Sequence, residues 1–196
     1  MKRFLEKTTY HHYLANHRRW PIWKGLMTVK YPMDMITYAE LIFKHKPDYL
    51  IETGTKFGGS ATFFADVMEA AGHGRVITID IDKCIFPPHP RITVLQGNST
   101  GKEILSKVKK IIGDNSVMVS LDSDHHRRHV KRELYYYSPL VTKDQFLVVE
   151  DIFPSQGGWV KEAIEWFLRT RWARKFQVVP LQDKYLYSSN IWLQRR

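Results

Sequence analysis

Apolar residues recur at near-helical spacing over residues 33–45 (Met35, Ile36, Tyr38, Ala39, Leu41, Ile42), which predicts a helix that Pro47 stops. From Tyr49 onward, short apolar runs alternate with amphipathic stretches. Residues 49–51 predict a strand leading into Glu52-Thr53-Gly54, and residues 60–71 a helix with Ser60 as its N-cap and Gly72 as its stop. Strands follow at 75–80 and 91–96, then an amphipathic helix at 100–112 ended by Gly113. Residues 117–121 predict a strand into Asp122, 125–137 a helix ended by Pro139, and 145–149 a strand into Glu150-Asp151. A helix at 159–170 and closing strands at 176–179 and 191–193 complete the pattern. Continuous apolar strands alternating with helices indicate a parallel sheet covered on both faces. The expected fold class is α/β, doubly wound.

Composition narrows the setting more than the fold. The chain has 196 residues, one domain's worth, and its aromatic content of 13% argues against disorder. Its longest apolar runs are too short and too charged to span a bilayer, and the basic N-terminus lacks the apolar stretch of a secretory signal. A single cysteine, Cys84, excludes a disulfide framework and a cysteine-built zinc site. The expectation is a cytoplasmic protein. The net charge of +10 points toward anionic partners, and the first thirty residues concentrate it in Lys2, Arg3, Lys7, Arg18, Arg19, Lys24 and Lys30 against the lone acid Glu6. With Trp20, Pro21 and Trp23 and no clean periodicity, that stretch reads as an arm. Residues 1–46 are therefore expected to form an arm and lid helix, and 47–196 the main domain.

Open α/β sheets bind ligands outside the carboxyl ends of their strands, where strand order reverses. The residues just after each strand therefore carry the candidate chemistry. The first such loop is E-T-G-T-K-F-G-G-S, residues 52–60. Gly54 permits a sharp turn, while Gly58 and Gly59 would let a ligand approach the helix start. Lys56 stands where the dinucleotide fingerprint needs glycine, and Glu52 would repel a pyrophosphate. A carboxylate here suits a cationic, amine-bearing ligand such as S-adenosylmethionine. Asp80, ending the second strand, is placed to accept hydrogen bonds from ribose hydroxyls, and Asn98, after the third, to reach the adenine. Asp122, Glu150 and Asp151 leave adjacent strands at the same edge, an oxygen-rich set suited to Mg2+ or Mn2+. His125, three residues past Asp122, is the expected general base. The run H-H-x-x-H over residues 125–129 lacks the glutamate of a zinc helix, and Arg127 and Arg128 would oppose a cation there.

Taken together, these motifs resemble the cephalosporin hydroxylase-type family of S-adenosylmethionine-dependent class I methyltransferases. The resemblance runs from about Trp20 to the C-terminus. It rests on K-Y-P-M-D with a following Y-x-E-L-I helix, P-D-Y-L-I-E-T-G-T-K-F-G-G-S-A, G-H-G-R-V-I-T-I-D-I-D, H-P-R-I-T-V-L-Q-G-N-S-T, V-S-L-D-S-D-H-H-R-R-H-V and L-V-V-E-D. It implies a Rossmann-like sheet of seven strands with the last antiparallel. It also implies cofactor roles for Glu52, Gly54 and Asp80 and metal ligation by Asp122, Glu150 and Asp151; Thr55, Gly58, Ser60, Asn98, Ser99 and Asp122, in the same loops, are further candidate cofactor contacts. Catechol-type O-methyltransferases resemble the site too, with a base at the position held here by His125. Asn98 stands where the family carries an acid, and the segment after Asp151 is shorter than the acceptor-covering loop of relatives.

The expected activity is O-methylation of a hydroxyl on a small molecule or saccharide, assisted by a divalent metal. Two vicinal oxygens would chelate that metal best, which favours a sugar, polyol or catechol-like acceptor. The basic, aromatic arm would cover an anionic or glycan acceptor. Two other readings stay open: an RNA methyltransferase, which the charge favours but for which no RNA-binding module is recognisable, and a non-catalytic cofactor-binding protein of the same fold. Peripheral membrane contact and homo-oligomerisation also stay open.

Overall fold

A computed structural model describes residues 20–152, 158–181 and 190–196. The described part opens on a short hairpin, β1 (Ile22–Trp23) against β2 (Leu26–Met27), in a stretch without clean periodicity. Then follow α1 (Pro32–His45), β3 (Tyr49–Thr53), α2 (Gly59–Ala70), β4 (Arg75–Asp80), β5 (Ile92–Gln96) and α3 (Lys102–Ile112). The second half comprises β6 (Val117–Leu121), α4 (Arg127–Tyr137), β7 (Phe146–Val149), α5 (Trp159–Leu168), β8 (Phe176–Val178) and β9 (Ile191–Arg195).

Strands β3 to β9 form one seven-stranded sheet in the order β5-β4-β3-β6-β7-β9-β8. All pairs from β5 to β7 are parallel, and β9 runs antiparallel to both neighbours, β7 and β8. Strand order reverses at β3, so the crevice between the β3 and β6 ends is the expected binding position. Among the described residues, no helix is long and apolar enough to cross a membrane.

The pleat sorts side chains between the two faces. Ile51, Ile77, Val119, Leu147 and Val149 point into a core shared with α3, α4 and α5. Leu50, Val76, Met118, Val148 and Trp192 point into a second core shared with α1 and α2. Helix α1, expected as part of a lid, is instead a core helix. Met35, Tyr38, Leu41 and Ile42 line its buried stripe, and burying that stripe against the sheet is what stabilises it. Residues 1–19 of the expected arm, and residues 153–157 of the segment after Asp151, lie outside the described residues.

Three helix starts differ from expectation, each for a local reason. Gly58, at φ 76°, is the N-cap of α2, and Ser60 lies buried inside the helix. Asn98 Oδ1 accepts from the N–H and hydroxyl of Thr100, a turn that delays α3 to Lys102. Asp124 Oδ1 accepts the His126 N–H at 2.9 Å, so α4 begins at Arg127 and His125 stays in the loop. That last shift aims His125 at the strand ends.

Candidate active site

At the carboxyl ends of β3 to β7 lies a cavity of about 620 Å3. Its walls include Gly54, Thr55, Ser60, Asp80, Asn98, Ser99, Asp122, His125 and Asp151, closed on one side by Trp20, Met27 and Val29. Gly54, at φ +91°, sits where the β3 and β6 ends converge, and a Cβ there would lie 2.0 Å from the Asp122 carbonyl oxygen. The expectation that Gly59 admits a ligand is corrected. A Cβ on Gly59 would lie 2.2 Å from the Met27 carbonyl oxygen, so its bareness makes room for the chain's own hairpin. Gly58 likewise faces the Phe86 ring.

At one end of the cavity, Asp80 Oδ2 accepts the Lys56 N–H at 2.8 Å and Oδ1 the Asp82 N–H at 3.0 Å. These two donors fix the carboxylate at the wall with lone pairs to spare for vicinal hydroxyls. Asn98 lines the same end, but its carboxamide oxygen is committed to the Thr100 turn. Beside it, Ser99 and Ser123 each donate to Glu133 Oε1 at 2.7 Å, with His129 Nε2 3.4 Å from the same oxygen. Contact with Glu133 raises the His129 pKa against the opposing effect of burial. Glu133 escaped the sequence reading, although an acid within the stripe Val130, Leu134 and Tyr137 is the signal of a buried polar network.

Glu52 is placed differently from expectation. It is fully buried, does not line the cavity, and accepts a hydrogen bond from Thr78 at 2.7 Å, Thr78 in turn bonding Thr55. The pleat explains this. Glu52, Thr78, Ser120 and Glu150 share the sheet face that carries Leu50, Val76, Met118 and Val148, and so point toward α1 and α2. Burial pushes the Glu52 carboxyl up to about 7, with Lys30 opposing.

On that face lies a buried polar centre that the sequence reading missed. Lys30 Nζ donates to Asp122 Oδ2 and to Glu150 Oε1, both at 2.8 Å. Glu150 Oε1 also accepts from Tyr38 at 2.7 Å and Ser120 at 2.8 Å. Burial alone would lower the Lys30 pKa, but Asp122, Glu150 and Glu52 together hold it well above its usual value. Glu150 is raised by burial and by the nearby Asp122, against the pull of Lys30. By sequence alone Lys30 counts only toward the basic charge of the first thirty residues. Its position in K-Y-P-M-D, one of the motifs carrying the family resemblance, was the available signal.

The acids expected as a metal set are thus divided. Asp122, His125 and Asp151 each present a donor atom, all within 4.8 Å of one another, while Glu150 stands outside that trio with Oε1 in the Lys30 network. His125 Nε2 lies 3.4 Å from Asp122 Oδ1 and 3.9 Å from Asp151 Oδ2. It is buried without a hydrogen-bond partner. An orphaned buried nitrogen beside two carboxylates fits a site that receives a cation or a hydroxyl group. Asp122 raises the His125 pKa, and burial opposes it.

The sequence model of the Rhamnosyl O-methyltransferase/CmcI family matches residues 15–176. The chain belongs to that family. A rhamnosyl O-methyltransferase of Mycobacterium leprae (strain TN) is 33% identical over 160 residues, covering 75% of this chain and 70% of the relative. Its counterpart in Mycobacterium tuberculosis (strain H37Rv) is 30% identical over 172 residues, covering 80% and 70%. Among solved structures, CmcI with Mg and S-adenosylmethionine superposes with a TM-score of 0.69 at 21% identity, over 90% of this chain and 76% of that one. CalS11, a TDP-rhamnose 3'-O-methyltransferase of calicheamicin biosynthesis, gives 0.62 at 13% identity, over 82% and 78%. The family's Rossmann-like class I methyltransferase fold is the one found here.

Proposed function

We propose that this family member transfers the methyl group of S-adenosylmethionine to a sugar hydroxyl, with Mg2+ or Mn2+ assisting and a rhamnosyl group as the acceptor class. The observation that carries the reading is the orphaned His125 Nε2 beside Asp122 and Asp151, in the cavity whose other end presents Asp80. S-adenosylmethionine supplies an electrophilic methyl on a sulfonium, and a divalent cation supplies Lewis acidity toward an acceptor oxygen. The chain's own residues do the rest. Asp80 holds the ribose hydroxyls, and its two backbone donors stop it from rotating away. Asp122 and Asp151 are the carboxylates that would hold the cation, with Glu150 behind them. His125 Nε2 takes the proton of the acceptor hydroxyl as its oxygen attacks the methyl carbon, the carbon–sulfur bond breaks and neutral S-adenosylhomocysteine leaves. Trp20, Met27 and Val29 exclude water from that end of the cavity and hold the acceptor in line.

The test is transfer of radiolabelled methyl from S-adenosylmethionine to a rhamnoside, with free RNA as the competing acceptor. Labelling of the rhamnoside, its loss in EDTA and its return with Mg2+ or Mn2+ are expected. His125→Ala should cut turnover by about 10²–10⁴-fold. Full turnover in EDTA would show that the acids do not serve a metal, and labelling of RNA alone would replace the acceptor class.

A further inference from the structure

Lys30 comes from the basic N-terminal stretch, yet it is only 2% exposed, and the transfer chemistry does not use it. Its ammonium donates to one oxygen of Asp122 and one of Glu150 and lies 4.0 Å from Glu52 Oε1, itself without a hydrogen-bond partner. The segment that delivers it is fastened at several points. Thr28 bonds Pro21 O through both its N–H and its hydroxyl, and Trp23 Nε1 donates to Asp66 at 2.7 Å. Gly59 lets the Met27 carbonyl seat directly on the start of α2. A lysine held this way is a built-in counter-ion among acids that would otherwise repel one another or gather cations.

We propose that Lys30 is the positioning residue of this centre. Its ammonium fixes Asp122 and Glu150 relative to each other, turns the second Asp122 oxygen toward His125, and supplies a resident positive charge that moderates the centre's affinity for divalent cations. The proposal rests on the metal-assisted reading of the site. Lys30 touches neither cofactor nor acceptor and acts through the acids. Its removal therefore has two opposite effects: loss of a fixed positive charge strengthens cation binding, while loss of the shared donor disorders the groups that align the reaction.

The test is Mn2+ binding followed by electron paramagnetic resonance, alongside steady-state kinetics, on the full chain. It compares wild type, Lys30→Met, and Lys30→Met with Glu52→Gln. In Lys30→Met, Mn2+ should bind about tenfold tighter, since a like charge beside the ion is gone. In the same variant kcat should fall about 100-fold, with little change in KM for S-adenosylmethionine. A merely structural role would weaken both binding and turnover, and a direct chemical role would leave Mn2+ affinity unmoved; either result overturns the proposal. At a pH above the Glu52 titration, where that acid is ionised, the double variant restores the formal charge of the cluster, so Mn2+ affinity measured there should return to the wild-type value while kcat stays low. If Lys30→Met does not fold, the double variant decides, and a wild-type kcat there overturns the proposal. If neither folds, 15N-lysine spectra of the wild type decide. A slowly exchanging ammonium resonance that shifts on adding Mg2+ supports the proposal, and its absence overturns it. A wild type that binds no Mn2+ overturns the metal reading and the proposal together, whereas a wild type that binds Mn2+ beside an unmoved variant overturns the proposal alone.

Discussion

Substituting Gly54 by alanine tests how closely the two strand ends at the switch point must approach. Two costs add at this position. The backbone sits at φ +91°, a region in which a side chain costs roughly 1–2 kcal/mol. The new Cβ would also lie 2.0 Å from the Asp122 carbonyl oxygen and 2.8 Å from its carbonyl carbon. Both are backbone atoms, so no rotamer change relieves the overlap and the ends of β3 and β6 must separate. Overpacking of that kind costs typically about 1–3 kcal/mol. The sum is about 2–5 kcal/mol, a large part of a domain's usual 5–15 or so. Gly72 provides the control, because its φ is +67° and nothing lies within 4 Å of the corresponding Cβ. Gly72→Ala should show the conformational cost alone. Urea denaturation of both variants, with equal m-values, measures the difference. Gly54→Ala should be the less stable by more than about 1 kcal/mol, and calorimetry should show weaker S-adenosylhomocysteine binding because Asp122 has moved. If the two variants lose equal stability, the close approach of the strand ends is not what demands glycine.

Two further outcomes are expected. Asp80→Ala should weaken S-adenosylhomocysteine binding by about 1–3 kcal/mol without lowering Mn2+ affinity, as calorimetry and spin resonance will report; equal loss of both would mean that the substitution disturbs the whole edge. Glu52 contributes to the pH dependence, alongside Glu150, His125 and His129, whose pKa values are also raised. Its folded pKa is raised from 4.5 to about 7, so between those values the folded state binds more protons than the unfolded, and stability falls as pH rises. The full effect is about 3 kcal/mol, and Glu52→Gln should flatten the stability profile across that window; an unaltered slope would exclude Glu52 as its source.

The architecture was legible in the chain because its signals are local. Continuous apolar strands, amphipathic helices and glycine or proline stops each act within a dozen residues, and the resulting alternation constrains the parallel sheet. The residues after each strand were also legible, since sheet topology brings those ends to one edge whatever their side chains. Asp80, Asp122, His125 and Asp151 meet there as expected. Side-chain direction was half legible. The alternation that sends Leu50 and Val148 toward α1 and α2 also sends Glu52 and Glu150 there, so the count of residues along each strand already separated them from the cavity. What fills the space opposite them was not legible. Lys30 reaches Glu150 across 120 residues of chain and Tyr38 reaches it across 112, and no local pattern records such a meeting. The helix carrying Tyr38 packs where its apolar stripe finds the sheet, and the hairpin that precedes Lys30 seats where Gly59 leaves room. A buried acid needs a partner wherever it lies, but which residue supplies that partner is decided only when distant segments pack together.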